Sequence, residues 1–377
     1  MSELQSRRMV CVVGAPRCGT TSLSTWLKDH PQICFSQVKE PHFFTQFDLT
    51  ACSSGELRRR VERDYLRRYF PGRESAGPVL AEGSVTYLYA PERMAPLLRL
   101  WPDAKFVIAV RDPMEMLPSL HLRLLFNGDE VEPDFERAWS LAARRREGRE
   151  VPRTCVDRRW LEYDEIVRIG KYVDRFIAAI GRERCFVSVF DDLASDPESV
   201  YREMLEFLEL PYHPRRDFSP QRTSRGYRFG ALQRLLKRPP RIARSVLGGE
   251  KTRLRVTARP DQHPHYLVRQ LMEARKRILD WNTVEGPPTA VPLHLQLEIK
   301  DRLRDDVSHL SRVIGRNLDH WLSPRPPSPA VPIGFGAARP IETSLQPQDV
   351  GVAARRLLQP VGDRRVAGSP WSIGNGH

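Results

Sequence analysis

The segment M-V-C-V-V-G-A-P-R-C-G-T-T-S-L, residues 9–23, begins with five consecutive apolar residues. Such a short, continuous apolar run is typical of a strand covered on both faces of a parallel sheet. A turn containing Gly14 and Gly19 follows, and Leu23 and Trp26 then recur at a helical spacing. We therefore predict a strand, a tight loop and a helix in direct succession.

The alternation of strands and helices continues along the chain. Further strands are predicted at residues 33–36, 79–82, 106–110 and 186–190, and helices at 165–180, 197–210 and 295–322. This order predicts an α/β fold, in which βαβ units with right-handed crossovers build a parallel central sheet flanked by helices. We expect one domain over residues 1–323.

Residues 324–377 differ in composition from the rest of the chain. These 54 residues include nine prolines and seven glycines and have little periodicity. Such a composition is typical of disorder, so we predict a disordered C-terminal tail.

The six cysteines form no C-x-x-C pair, which argues against a zinc ribbon or a redox dithiol. No apolar run approaches the length of a membrane span, and the one that follows Arg8 is too short for a signal peptide. We expect reduced thiols and a cytoplasmic protein.

The chain is basic, with 60 Lys and Arg against 47 Asp and Glu. Residues 215–259 hold 14 basic residues and two acidic ones, so this segment carries most of the excess charge. Guanidinium groups suit phosphate and sulfate, so we expect an anionic ligand and a weak association of this segment with anionic surfaces.

The turn at residues 14–21 has the context of a phosphate-binding loop, because backbone N–H groups and a helix N-terminus would point at one anion. Arg17 adds a charged fork, and Thr20, Thr21 and Ser22 add hydroxyl groups. The glycine spacing matches G-x-x-x-x-G-K-[ST], but Thr20 stands in place of the lysine. ATP hydrolysis is therefore disfavoured.

The segment G-A-P-R-C-G-T-T-S-L resembles the 5′-phosphosulfate-binding loop of sulfotransferases, which use 3′-phosphoadenosine 5′-phosphosulfate (PAPS). K-E-P-H-F-F, residues 39–44, is similar to the segment with the catalytic glutamate in heparan-sulfate-type sulfotransferases. Residues 109–119 resemble the 3′-phosphate site of the family, and residues 222–227 a late loop that closes over the nucleotide. The resemblance covers about residues 8–323.

This resemblance implies a PAPS-dependent transfer of a sulfuryl group to a hydroxyl or amine, without a metal. It assigns Glu40 as general base, His42 as the second candidate for that role, and Arg17 as the stabiliser of the leaving phosphate. The acceptor expected from it is a carbohydrate or a small natural product. The implied nucleotide-binding residues are Arg17, Cys18, Gly19, Thr20, Thr21, Ser22, Arg111, Ser119, Arg225, Gly226 and Tyr227.

Position along the chain supports part of this set. Arg111 ends a predicted strand, and ligands of open α/β sheets bind at the carboxyl ends of the strands. Trp160, Tyr163 and Tyr172 could line an acceptor site, although packing in the core is the stronger expectation for all three.

Two other functions are compatible with the sequence. One is a kinase-like nucleotide-binding protein with a degenerate phosphate loop, which a test for ATP turnover would reveal. The other is a nucleic-acid-binding protein that uses residues 215–259, although we find no known nucleic-acid-binding module. Steeply salt-dependent binding of DNA or RNA would favour it.

Overall fold

The computed structural model describes residues 7–72, 77–219, 225–238, 266–285 and 290–323. All of them belong to one compact unit, Met1–Phe335, and a second unit, Gly336–His377, lies outside the described residues. The predicted disordered tail, residues 324–377, therefore stays a prediction, as does the domain boundary at 323.

A parallel sheet of five strands forms the centre, in the order β2-β3-β1-β4-β5. The strands are β1 (Arg8–Gly14), β2 (Ile33–Phe35), β3 (Val79–Gly83), β4 (Lys105–Val110) and β5 (Cys185–Val189). The five predicted strands and the α/β class are confirmed. Because all strands are parallel, their carboxyl ends meet at one edge of the sheet, where the candidate site residues follow them.

Helices connect and flank the strands. They are α1 (Thr20–Lys28), α2 (Phe43–Gln46), α3 (Ser54–Arg60), α4 (Arg67–Tyr69), α5 (Ala95–Leu100), α6 (Pro113–Asn127), α7 (Phe135–Ser140), α8 (Ala142–Arg146), α9 (Tyr163–Ile166), α10 (Ile169–Ile180), α11 (Phe190–Ser195), α12 (Pro197–Phe207), α13 (Gly230–Lys237), α14 (Tyr266–Asn282) and α15 (Leu293–Ile314). A small antiparallel pair of strands, β6 (Arg225–Tyr227) and β7 (Thr283–Glu285), lies outside the main sheet.

β1 is the middle strand of the five and is buried on both faces. Met9, Cys11, Val12 and Val13 are fully buried. A buried aliphatic side chain contributes roughly 1.5–3 kcal/mol relative to an exposed one, so this strand stabilises the sheet strongly. Burial on both faces explains why its sequence is continuously apolar rather than alternating.

Two predicted helices are interrupted. The pattern over residues 165–180 divides into α9 and α10, and α10 is capped from a distance: both carboxylate oxygens of Asp306, on α15, accept 2.9 Å hydrogen bonds from the N–H groups of Gly170 and Lys171. The pattern over residues 295–322 ends its helix at Gly315, in the left-handed conformation, and resumes as the short 3₁₀-helix Asp319–Leu322.

All six cysteines are unpaired. Within the described residues, no helix has both the length and the apolar character that crossing a bilayer requires.

The end of β1 allows a test of the sheet. An added Cβ at Gly14 would lie 2.4 Å from the backbone oxygen of Ala109, on β4. We expect Gly14→Ala to lower the free energy of unfolding by about 3 kcal/mol or more, measured by urea denaturation. Gly72 also has positive φ but has no atom within 4 Å of its added Cβ, so Gly72→Ala should cost only about 1 kcal/mol. Equal losses in the two variants would contradict this close approach.

Candidate active site

Three of the predicted nucleotide-binding residues meet beyond the ends of β1 and β4. The Nε of Arg17 donates a 2.8 Å hydrogen bond to Oγ of Ser119, on α6. A terminal nitrogen of Arg111 donates to the backbone oxygen of Arg17 at 3.1 Å. Two guanidinium groups and a hydroxyl group are thus brought together from segments about a hundred residues apart.

Contacts on either side hold the Arg111 guanidinium in place. It forms a two-pronged ion pair with Glu115, with both distances 2.8 Å, and lies 3.8 Å from the ring centre of Phe190. The side chain of the neighbouring Asp112 accepts the N–H of Met114 at 2.8 Å and caps α6. The aromatic ring and the planar fork together fix the orientation of the cation.

The N-terminus of α1 has the features of an anion site. Gly19 precedes the helix in the left-handed conformation, no side chain caps it there, and its first turn contains no acidic residue. The first N–H groups of a helix lack partners within the helix, so Thr20 and Thr21 offer N–H and hydroxyl donors together. Ser22 offers its hydroxyl, since its N–H donates to the backbone oxygen of Gly19 at 2.9 Å.

Cys18 differs from the other loop residues, because its side chain faces the core. The residue is 1% exposed, and burial raises the pKa of its thiol to about 12. The thiol therefore stays protonated at neutral pH and points away from solvent. Only the backbone N–H of Cys18 is suited to the nucleotide-binding role predicted for this residue.

The candidate bases lie on the segment that follows β2. One carboxylate oxygen of Glu40 is 2.9 Å from Nζ of Lys39, and the other is 3.4 Å from Nε2 of His42. Nζ of Lys39 also donates to the hydroxyl of Thr20, at 3.4 Å. Glu40 is therefore connected to the phosphate loop through one lysine side chain.

Lys39 was missed as a site residue by the sequence analysis. The absent loop lysine argued against ATP, yet the structure brings an ammonium group to Thr20 from another segment. One sequence feature could have indicated a role for Lys39, since it directly precedes the candidate base. Whether this lysine reaches the phosphate loop depends on where the segment after β2 lies in the fold.

The charges around Glu40 keep its carboxylate ionised. Burial by itself raises the pKa of Glu40, but the hydrogen bond to His42 and the charge of Lys39 outweigh this effect and hold the pKa well below its ordinary value. The side chain is still 38% exposed, so solvent and an incoming substrate can reach it.

A buried polar network positions the backbone of His42. Glu82, fully buried at the end of β3, accepts hydrogen bonds from the hydroxyls of Tyr65, Tyr87 and Ser84 at 2.6–2.8 Å. Burial raises the pKa of Glu82, although the three hydroxyl donors oppose that shift. Oγ of Ser84 accepts the N–H of His42 at 3.0 Å, so the network fixes the chain next to Glu40.

Strained backbone is concentrated at these residues. Among the described residues, five other than glycine have positive φ, and three of them are Arg17, Glu40 and His42. Such conformations cost about 1–3 kcal/mol each and cluster at functional sites. The strain supports the assignment of these three residues to the site.

The late loop of the prediction is described only in part. Residues 222–224 lie outside the described residues. Arg225, Gly226 and Tyr227 form β6, and Tyr227 packs against Leu125 and Phe126 near the C-terminal end of α6. Their nucleotide-binding role therefore stays a prediction.

Trp160, Tyr163 and Tyr172 were each expected either in the core or at an acceptor site. Tyr163 is fully buried and belongs to the core. Trp160 and Tyr172 are half-buried, pack against the core and contact the ring of Tyr89.

Fold and site together define an α/β protein with a phosphate loop, in which two arginines, one lysine and an ionised carboxylate lie at the carboxyl edge of the sheet. Comparison with known proteins identifies the family to which this α/β protein belongs. The model of the sulfotransferase family matches residues 10–214. The chain therefore belongs to the sulfotransferase family, which confirms the resemblance seen in the sequence.

Individual relatives are distant. Carbohydrate sulfotransferase 15 of Rattus norvegicus is 24% identical over 242 residues, covering 53% of this chain and 43% of the relative. The Homo sapiens protein of the same name is 23% identical over 242 residues, which again cover 53% of this chain and 43% of the relative. The matched region thus spans less than half the length of these relatives. The crystal structure of a sulfotransferase from Alicyclobacillus acidocaldarius has a TM-score of 0.52 at 22% identity, covering 84% of this chain and 98% of that one, and shares the fold.

The lowered pKa of Glu40 predicts a dependence of stability on pH. A carboxylate with a depressed pKa stabilises the fold above its unfolded pKa, about 4.3, and this contribution is lost as the pH falls towards the folded-state pKa. Glu40→Gln should therefore cost more stability at about pH 6 than at about pH 4, by about 0.5 kcal/mol after allowance for solvent screening.

Urea unfolding at both pH values measures this difference. Glu206→Gln, at an exposed position of α12, is measured in parallel and shows the general effect of removing one carboxylate. A Glu40→Gln effect that does not change with pH would show that the carboxylate is not held ionised.

Proposed function

We propose that this protein transfers a sulfuryl group from PAPS to a hydroxyl or amine of a carbohydrate or small natural product. The observation that carries the proposal is the convergence of Arg17, Lys39 and Glu40 at the N-terminus of α1. Cations and backbone donors for a phosphosulfate lie there beside a carboxylate that can accept a proton. Membership of the sulfotransferase family supports the same chemistry.

The chemistry of the donor set fits PAPS. Arg17, Thr20, Thr21 and Ser22, with the N–H groups at the start of α1, would hold the 5′-phosphosulfate, and Arg111 and Ser119 the 3′-phosphate. When bound, PAPS supplies the sulfuryl group that passes to the acceptor, leaving adenosine 3′,5′-bisphosphate. The guanidinium of Arg17 would stabilise negative charge at the loop.

Glu40 would take the proton of the acceptor hydroxyl. It is ionised at neutral pH and accessible, as a general base must be. Lys39 donates hydrogen bonds to one oxygen of Glu40 and to Thr20 of the phosphate loop. This lysine would therefore hold the base at a fixed distance from the donor site. His42 lies beside the other oxygen and would orient the carboxylate.

A carbohydrate acceptor is supported by the distant relatives named as carbohydrate sulfotransferases. A cytoplasmic location and a reaction without a metal stay predictions from the sequence.

Donor recognition can be measured without turnover. We expect adenosine 3′,5′-bisphosphate at about a hundred times its Kd to raise the melting temperature by about 5 °C, because it binds only the folded state. ATP at the same concentration should raise it less, because it has no 3′-phosphate for Arg111 and Ser119. Ser119→Ala should reduce the difference between the ligands. Equal stabilisation by ATP would favour the kinase-like alternative.

Transfer of ³⁵S from labelled PAPS to a panel of simple glycosides tests the reaction itself. We expect the protein to label at least one member of this panel. Glu40→Gln should reduce the turnover at least about a hundredfold, because glutamine keeps the shape of the base but cannot accept the proton. Binding of adenosine 3′,5′-bisphosphate should stay within about twofold, since packing is preserved.

His42→Ala is the comparison, and it should reduce turnover less than Glu40→Gln. If Glu40→Gln kept near-normal turnover while His42→Ala did not, His42 would be the base. If nothing in the panel were labelled although the bisphosphate bound, the proposed reaction would lose its support.

A further inference from the structure

Two side chains of the segment that follows β3 hold His42. The backbone N–H of His42 donates to Oγ of Ser84 at 3.0 Å, and Nδ1 of its ring lies 2.9 Å from Oγ1 of Thr86. Nε2, on the opposite side of the ring, lies 3.4 Å from one carboxylate oxygen of Glu40. The ring therefore connects a threonine hydroxyl to the carboxylate that the proposed function assigns as the base.

The two nitrogens of this ring face different chemical groups. The ionised carboxylate of Glu40 only accepts hydrogen bonds, whereas the hydroxyl of Thr86 can either donate or accept. A bare Nε2 would place its lone pair against the negative carboxylate, which is repulsive. In a histidine ring, the hydrogen bond made by one nitrogen decides whether the other carries a proton. The neutral ring should therefore have its proton on Nε2 and leave Nδ1 bare.

A second threonine completes a chain of hydrogen bonds behind the ring. Oγ1 of Thr45 lies 2.7 Å from Oγ1 of Thr86 and 3.1 Å from the backbone oxygen of His42. Each hydroxyl has one proton to donate and can also accept. With a neutral ring, Thr45 can donate to Thr86, and Thr86 can donate to Nδ1. The backbone oxygen of His42 still has a partner, because it accepts the N–H of Gln46 at 2.8 Å.

The same chain also satisfies a protonated ring. Nδ1–H then donates to Thr86, Thr86 donates to Thr45, and Thr45 donates to the backbone oxygen of His42. Only the two hydroxyl protons change direction between the two arrangements, so no heavy atom has to move. Nε2 carries a proton in both arrangements and faces Glu40 as a donor whatever the charge of the ring. A nitrogen that keeps its proton cannot take one from an acceptor hydroxyl.

We propose that Thr86 is a positioning residue of the transfer reaction, and that it holds His42 as a permanent Nε2–H donor to Glu40. The inference rests on the proposed function and removes His42 as a candidate base. The O–H bond of the acceptor breaks and its proton goes to Glu40, while the acceptor oxygen forms a bond to sulfur. The bond from sulfur to the 5′-phosphate breaks, and its electron pair stays with the phosphate. The His42 ring keeps its own proton throughout, and its donor, with that of Lys39, would fix the carboxylate plane.

Nuclear magnetic resonance reads the position of the ring proton without any turnover. The protein is labelled with ¹⁵N-histidine, and ring ¹H–¹⁵N correlations are recorded over the pH range in which it is folded. His42→Gln identifies the signals of His42 among those of the ten histidines, because they disappear in this variant. We expect Nε2 to carry a proton at every pH and Nδ1 to be the nitrogen that loses its proton. A bare Nε2 at any pH would overturn the inference.

Removal of one hydroxyl tests the role of Thr86 in the reaction. Thr86→Val keeps the branched shape of the side chain but leaves Nδ1 without a hydrogen-bond partner. We expect kcat for ³⁵S transfer to fall at least about fivefold, while the Kd of adenosine 3′,5′-bisphosphate stays within about twofold. Thr86→Ser returns the hydroxyl and should restore at least about half of the kcat. Thr50→Val is the control and should leave kcat unchanged, because it removes an exposed hydroxyl that is bonded to Asp48.

An unchanged kcat in Thr86→Val, or a loss that serine does not restore, would overturn the positioning role. A parallel loss of bisphosphate binding would overturn it too, because it would show a general disturbance of the site. Failure of the proposed function has a different signature, which is the absence of ³⁵S transfer by the unaltered protein. A protonated Nε2 would then leave the hydrogen-bond chain in place, and its part in the transfer reaction would fall with the proposed function.

Discussion

The burial of β1 between β3 and β4 is the constraint on which the rest of the structure depends. Its side chains are buried against apolar layers on both faces, and its backbone pairs with β3 on one side and β4 on the other. Gly14 then approaches Ala109 too closely for any side chain, which sets the direction of the chain as it leaves the sheet. The position of the phosphate loop follows from this packing.

Once the strand ends are aligned, the site is assembled from loops that are remote in the sequence. The loop after β1 contributes Arg17, the segment after β2 contributes Lys39 and Glu40, and the strand end of β4 contributes Arg111. A cluster of cations next to an ionised carboxylate is stable because each cation has a partner: Ser119 for Arg17, Glu115 for Arg111 and Glu40 for Lys39. An anionic ligand would compete for cations that are already in position.

Much of the fold and part of the site could be predicted from the sequence. Continuous apolar runs revealed the strands, since burial on both faces leaves no alternation, and the loop at residues 14–21 predicted an anion site. The role of Lys39 was not predictable in the same way, because a lysine beside a glutamate reads as an ordinary charged pair until the fold brings it to Thr20. The cap on α10 could not be predicted for the same reason, since the capping residue, Asp306, lies on another helix.

The sequence by itself determined the α/β class and the succession of strand, loop and helix, and it predicted which residues would bind an anion, because these depend on local periodicity and on side-chain chemistry. Only the tertiary structure decided that the thiol of Cys18 faces the core, that Arg111 pairs with Glu115, and that Trp160 and Tyr172 contact the ring of Tyr89. These outcomes depend on which surfaces meet when helices pack on the sheet, and that packing is a property of the whole chain.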